Sequence, residues 1–213
     1  MNSQLSKSLV GIRPYEVSMD LTLLLQIWGG AGYLLNKLFF AKAERAGDFQ
    51  RRLIWLRWAW IAYLVGLPPW VYIFISERNW IAAAVESSGV PAMLMGLIAS
   101  WQARNQDGKH AWLDYLAKLM IVTGIGLSLY DAGGLTQVTQ FMELGVAAGF
   151  LLGTYLMAKG KPQGYFWLMV GNVSAASLML QQGYYVLGVQ QLVSLALVLD
   201  AFRVQRQTVR SLV

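Results

Sequence analysis

Apolar residues along this chain come in long unbroken runs, with polar residues confined to short intervals between them. Seven runs stand out, at 21–41, 53–76, 80–102, 112–130, 136–158, 164–182 and 184–203. A bilayer core about 30 Å thick takes roughly 20 apolar residues to cross as a helix. Each run meets that length, and none alternates at every second residue as a barrel strand would. The pattern therefore predicts an all-α membrane protein with seven transmembrane helices. Residues 1–20 (MNSQLSKSLVGIRPYEVSMD) lack the uninterrupted apolar core of a signal peptide and read as a polar or interfacial lead-in.

Composition narrows the function. Of 213 residues 56% are hydrophobic and 13% charged, against about 25% charged in a soluble domain. With no cysteine and a single histidine, His110 in a polar loop, disulfides, thiolate nucleophiles and Cys/His metal sites are excluded. No phosphate-binding glycine loop or nucleophile elbow is present, so neither an ATP-driven pump nor an enzyme is expected. No cofactor is implied.

The net charge of +6 has its explanation in the positive-inside rule rather than in nucleic-acid binding. With seven spans, one set of loops holds Lys42, Arg45, Arg51, Arg52, Arg104, Lys109, Lys159, Lys161, Arg203, Arg206 and Arg210, with Lys37 and Arg57 at helix ends facing them. The other side holds Lys7, Arg13 and Arg78, three against thirteen. The expected placement is the cell (inner) membrane, N-terminus outside and C-terminus cytoplasmic.

The runs also repeat. AGYLLNKLFFAK at 31–42 and AGFLLGTYLMAK at 148–159 share six of twelve residues at an offset of 117. After a basic loop five residues shorter in the second copy, Trp55 answers Trp167 and Tyr72 answers Tyr184. Three helices and one linker helix return the second unit to the orientation of the first, so the repeats are parallel. The expected division is a first three-helix repeat at 21–102, a linker with the fourth helix at 103–135, a second repeat at 136–207 and a cytoplasmic tail at 208–213.

An ionisable group in hydrocarbon costs at least a few kcal/mol, so each needs a partner, an interface or a task. At 1.5 Å rise per residue, Glu86, Glu143, Gln190 and Gln191 lie roughly 10 Å inside their helices, and Asn172 near the midplane. Gln190 and Gln191 point about 100° apart and are not expected to face one spot. These groups suggest a polar cavity between the units, with interhelical hydrogen bonding as the alternative. Trp60 and Trp70 are deep enough to stack on a flat ring in such a cavity, with packing as the alternative, and Trp60 aligns with Asn172 across the repeat. Trp80, Trp101, Trp112, Tyr184 and Tyr185 sit where spans begin or end, as belt residues do. Asp114 and Lys118 are spaced to pair, and Asp200 lies one turn from Arg203 and Arg206 and is expected to pair with one of them. Pro68 and Pro69 should break the second helix.

Two parallel three-helix units joined by one helix form the arrangement of the SWEET-like transporters. Within that group residues 142–192 resemble the PnuC family of vitamin-precursor transporters, through Glu143, Tyr155 to Lys159, Trp167 and Asn172. The family's pair of tryptophans three apart is missing from this helix and occurs instead as Trp55 and Trp58. The resemblance implies a transporter of a nicotinamide riboside-like solute, working by alternating access and facilitated diffusion. Its substrate-binding candidates are Trp60, Trp70, Glu86, Glu143, Trp167, Asn172 and Gln190, and its hinges Pro68, Pro69 and Gly171. Partners implied are the small-molecule solute, the lipid bilayer, a second copy of the chain and a cytosolic kinase that traps the solute. Transport of thiamine, another nucleoside or a sugar stands as an alternative, as does a non-transporting sensor or scaffold.

Overall fold

The computed structural model describes residues 14–102, 111–131, 133 and 136–210. Among them lie helices and turns and no strand: α1 (Pro14–Glu44), α2 (Phe49–Ser76), α3 (Trp80–Ser87), α4 (Val90–Gln102), α5 (Ala111–Asp131), α6 (Val138–Ala158), α7 (Gln163–Gln181) and α8 (Tyr185–Arg210). His110, Arg104 and Lys109, with most of the polar lead-in, fall outside the described residues. The protein is all-α, as the apolar runs require.

Five helical segments are long and apolar enough to cross a membrane: α2, α3 with α4, α5, α6, and α8 as far as Gln207. The other two expected spans are helices of similar length and more polar content. α1 carries Asn36 and Lys37, and α7 carries Asn172, Ser174 and Ser177.

Local chemistry sets the boundaries. α2 opens on Asp48, whose Oδ2 accepts from the Arg51 amide at 3.2 Å, a standard N-cap. Contrary to expectation, α2 runs through Pro68 and Pro69 to Ser76; the prolines withhold donors from the preceding turn without ending the helix. The chain then turns at Arg78, in the left-handed region at φ 59°, and Asn79 Oδ1 caps α3 through the Ala82 amide at 3.0 Å.

Residues 80–102, expected as one span, form two helices. Pro91 has no N–H to return to the turn before it, and the ladder yields at Ser88 and Gly89. Ser87 Oγ donates to Ala83 O at 2.8 Å and Ser88 Oγ to Val85 O at 2.6 Å, taking up local carbonyls. Ser88 is buried against Gly124 of α5, where a Cβ would strike its hydroxyl. The break begins two residues after Glu86.

Helix backbones meet closely at two glycine pairs. Gly32 of α1 meets Gly66 of α2, and Gly149 of α6 meets Gly171 of α7, so closely that a Cβ on any of the four would press on the opposite helix. Small residues let membrane helices approach in this way. Elsewhere α1 packs on α8, α4 on α2 and α6, and α5 on α3, α4 and α6. One buried cluster (Phe40, Trp60, Tyr63, Leu67, Met93, Leu113) knits α1, α2, α4 and α5; another (Ala41, Tyr165, Leu168, Val198, Ala201) knits α1, α7 and α8.

The outside is apolar. Leu23, Leu24, Ile27, Trp58, Val122 and Val186 are all more than half exposed, a surface suited to lipid. Trp80, Trp101, Trp112, Tyr184 and Tyr185 are exposed at helix ends, where belt residues belong.

Candidate functional site

A cavity of about 240 Å³ opens inside the bundle, walled by every helix except α4's far end and α5. α1 contributes Tyr33 and Lys37, α2 Tyr63, Trp70 and Phe74, and α3 Glu86. α6 adds Phe150 and Thr154, α7 Asn172 and Met179, and α8 Gln190, Gln191 and Ser194. Most of the lining is apolar or aromatic, with a few convergent polar groups, which is the usual character of a small-molecule site.

Those polar groups are held in place. Tyr33 donates its hydroxyl to Glu86 Oε1, and its ring meets Tyr63 edge-on with centroids 5.0 Å apart. Tyr63 in turn shares a hydrogen bond of 3.3 Å with Thr154 Oγ1, joining α2 to α6. Gln190 Nε2 donates to the Gly30 carbonyl at 3.1 Å. Asn172 Nδ2 donates to Leu168 O at 2.6 Å, whereas Asn172 Oδ1 and Trp70 Nε1 are buried with no partner among the protein's atoms. A buried polar atom left unpaired costs about 1–3 kcal/mol, and Trp70 Nε1 is packed against Gly29 of α1.

Lys37 is the cation of the site. It is 5% exposed, donates to Asn36 Oδ1 at 3.0 Å, and lies 4.9 Å from the Tyr63 ring centroid and 5.7 Å from that of Phe150. The expected place of Lys37 and Arg57 at helix ends is corrected: α1 runs on to Glu44 and α2 opens at Phe49, which leaves both about two turns inside. Without them the charge asymmetry becomes eleven basic residues against three.

Of the sequence candidates, Trp70, Glu86, Asn172 and Gln190 line the cavity. Gln191 lines it too, against the expectation that only one would. Trp60 does not: it is packed on Phe40 and Gly96 and borders a second, smaller cavity of about 190 Å³ with Glu44, Arg52 and Lys161. Trp60 and Asn172 therefore do not face each other. Trp167 lines a surface depression with Phe202 and Arg206, and Glu143 is exposed. Of the hinge candidates Pro68 is exposed, while Pro69 and Gly171 are buried. Sequence reasoning missed Tyr33, Lys37, Tyr63 and Thr154. The repeat itself carried a signal, since at the offset of 117 Tyr33 matches Phe150 and Lys37 matches Thr154, and all four line the cavity.

Away from the cavity, ion pairs gather at the helix ends carrying most of the Lys and Arg. Asp114 pairs with Lys118 at 2.8 Å as its spacing required, and with Lys159 at 3.0 Å. Asp200 pairs with Arg45 of the α1–α2 turn rather than with Arg203 or Arg206, because that turn is brought alongside α8. Glu44 accepts from Arg52 at 3.2 Å and from the Tyr165 hydroxyl at 2.9 Å. No cluster of metal-ligating side chains occurs among the described residues.

A helical bundle with a lipid-facing apolar exterior and a cavity of aromatic, amide and charged groups is a multi-pass membrane protein built to hold a small solute. The family can be stated as well. Residues 55–206 match the model of the nicotinamide mononucleotide transporter family, and the chain belongs to it. This is a family of transporters and not of enzymes, and it bears out the resemblance carried by residues 142–192. No curated protein and no solved structure matches the chain.

Proposed function

We propose that the protein carries a pyridinium nucleoside, nicotinamide riboside or its mononucleotide, across the membrane by alternating access without ATP hydrolysis. The observation that carries this reading is the cavity itself: Glu86 lies beside Tyr33 and near Trp70, so a cationic ring entering there meets a carboxylate and aromatic faces together. Cation–π contact is worth about 2 kcal/mol when desolvated. The ribose hydroxyls would take the unpaired Asn172 Oδ1 and the amides of α8.

Mirrored packing supports two three-helix units, at 21–102 and 136–207, with α5 as linker. α1 packs on α2 as α6 packs on α7, and α8 packs on α1 as α4 packs on α6. Seven crossings follow if α1 and α7 span as well, with the N-terminus outside and the basic ends cytoplasmic in the inner membrane. Both α2 and α7 line the cavity, so rocking one unit against the other alters its access. Phosphorylation by a cytosolic kinase would make riboside uptake one-way.

The test is calorimetric titration of the purified full chain with nicotinamide riboside, nicotinamide mononucleotide, thiamine, uridine and glucose, then uptake of each hit into liposomes. Saturable binding and uptake of a nicotinamide compound is expected. Binding of thiamine or glucose alone would replace the substrate class, and binding without uptake would favour a sensor.

A further inference from the structure

We infer that the second cavity, among the helix ends carrying most of the Lys and Arg, is a binding site for a phosphate monoester, with Arg52, Lys159 and Lys161 as its cationic wall. This site is separate from the central cavity. Tyr63 of α2 and Thr154 of α6 line the central cavity; one turn nearer the basic ends, Trp60 and Met157 line the second.

The turn after α6 brings two of the three cations together. Lys161 N donates to Leu156 O at 2.8 Å and Gly160 N to Met157 O at 2.9 Å. This closure places Gly160 in the left-handed region, at φ 65°, and takes up carbonyls that the end of α6 would leave unpaired. Lys159 and Lys161 flank the glycine, and both line the cavity. Arg52 joins them from the first turn of α2.

The charges of this cavity are unbalanced. Among its lining residues Glu44 is the one carboxylate, and none of the ion pairs among the described residues includes Lys161. Arg52 and Lys159 are paired, with Glu44 and Asp114, but neither carboxylate depends on that partner alone. Glu44 also accepts from the Tyr165 hydroxyl at 2.9 Å. Asp114 also accepts from Lys118 at 2.8 Å and from the Tyr155 hydroxyl at 2.9 Å. An ammonium carries three donors and a guanidinium five, so both cations can turn to an anion without orphaning a carboxylate. Charge-assisted bonds of this kind are the strong ones, and the planar fork of arginine matches a phosphate. Gln205 of α8 adds a second requirement: it lines the same cavity, and its Oε1 is buried with no partner among the protein's atoms. That acceptor calls for a hydroxyl donor, which a phosphate dianion lacks and a hydroxylated ester supplies. A volume of about 190 Å³ suits a phosphate on a short hydroxylated chain. Glycerol phosphate has this chemistry, as a free ester or as the headgroup portion of an anionic lipid.

The experiment is calorimetric titration of the purified, delipidated full chain in maltoside detergent, as wild type, K161Q, K161R and K42Q. The probes are glycerol phosphate and dioctanoyl phosphatidic acid, with glycerol and dioctanoyl phosphatidylcholine as their controls. Lys42 lies at the same end of the bundle, 4.6 Å from the Trp55 ring centroid, and does not line the cavity. Wild type should bind at least one phosphate probe saturably, and neither control at that site. K161Q should bind it about tenfold more weakly, the worth of one charge-assisted hydrogen bond, while K161R and K42Q stay near wild type. That pattern with glycerol phosphate identifies a free ester as the occupant; the same pattern with phosphatidic acid alone identifies a lipid headgroup. Undiminished binding by K161Q, or equal weakening in K161Q and K42Q, would overturn the inference. So would a wild type that binds neither phosphate probe, whether or not the variants fold. All of these outcomes are independent of whether the chain carries a nicotinamide compound.

Discussion

Gly149→Ala is the substitution that most directly probes how the cavity is held. A Cβ at Gly149 would lie 2.5 Å from Gly171 Cα and 2.9 Å from the Trp167 carbonyl oxygen. Carbon atoms in ordinary contact sit about 3.5–4.0 Å apart, so the shortfall is about 1 Å. Both obstacles are backbone, so no side chain can swing aside; α6 and α7 must separate. Overpacking of this kind costs about 1–3 kcal/mol. Replacing a helical glycine by alanine returns about 0.5–1 kcal/mol of backbone entropy, and Gly126→Ala isolates that gain because nothing lies within 4 Å of its Cβ. The two variants should differ by about 1–3 kcal/mol, with G149A the less stable. At about 2–4 °C per kcal/mol for a chain of this size, their Tm values in detergent should stand about 2–12 °C apart. Phe150 and Asn172 flank the crossing and line the cavity, so parting the helices also misplaces Asn172. Losing one hydrogen bond of about 1–1.5 kcal/mol weakens solute binding about tenfold. A G149A protein that melts with G126A or above it, and binds as tightly, would refute the close crossing.

Three further outcomes follow from the same geometry. Glu86→Gln keeps an acceptor for the Tyr33 hydroxyl and removes the charge; at an effective dielectric of about 20 and about 6 Å from a pyridinium, that is about 3 kcal/mol. Titration should show about a 100-fold loss for pyridinium nucleosides and little for an uncharged nucleoside, and equal loss of both would mean that the charge is not what binds. Arg45→Ala removes a pair whose side chains are 51% and 38% exposed; such pairs give at most about 1 kcal/mol, so its melting temperature should approach that of wild type in high salt. Because the chain has no cysteine, E77C and Q50C report topology at the two ends of α2. A membrane-impermeant maleimide should reach E77C from outside and Q50C only after permeabilisation, and the reverse pattern would invert the proposed orientation.

The helices were legible because lipid demands unbroken apolar runs, and Trp70, Glu86, Asn172 and Gln190 because polar or aromatic groups at depth need a reason. Depth alone misled at Glu143: it is one turn or more inside α6 yet exposed, since distance along an axis does not say which face a residue takes. Lys37 was hidden by a boundary. Four residues from the end of an apolar run, a lysine can reach the interface with its own stem, but α1 continues past that run to Glu44 and carries Lys37 inward. The aromatic candidates divided for a different reason. Trp60 packs and Trp70 lines the cavity, and nothing in a tryptophan's sequence context separates these roles.

In the proposed two-unit arrangement the second helices align differently by sequence and by packing, and helix geometry explains why. Matching Trp55 to Trp167 sets an offset of 112, which puts Trp60 opposite Asn172. Packing sets another. Gly32 with Gly66 and Gly149 with Gly171 are equivalent crossings, and Gly66 to Gly171 is an offset of 105. The contact of Asn36 with Ala59 then answers that of Gly153 with Gly164. At 105, Trp70 corresponds to Ala175 and Phe74 to Met179, and all four line the cavity. The two offsets differ by seven residues, two helical turns, which rotates a helix face by only about 20°. A slip of that size preserves the apolar pattern almost unchanged, so hydrophobic periodicity cannot detect it. In the two-unit arrangement, the partner of Trp60 becomes Tyr165, and both are buried packing residues. In that arrangement the first helices differ where they line the cavity, with Lys37 opposite Thr154: one unit supplies an amine and the other a hydroxyl.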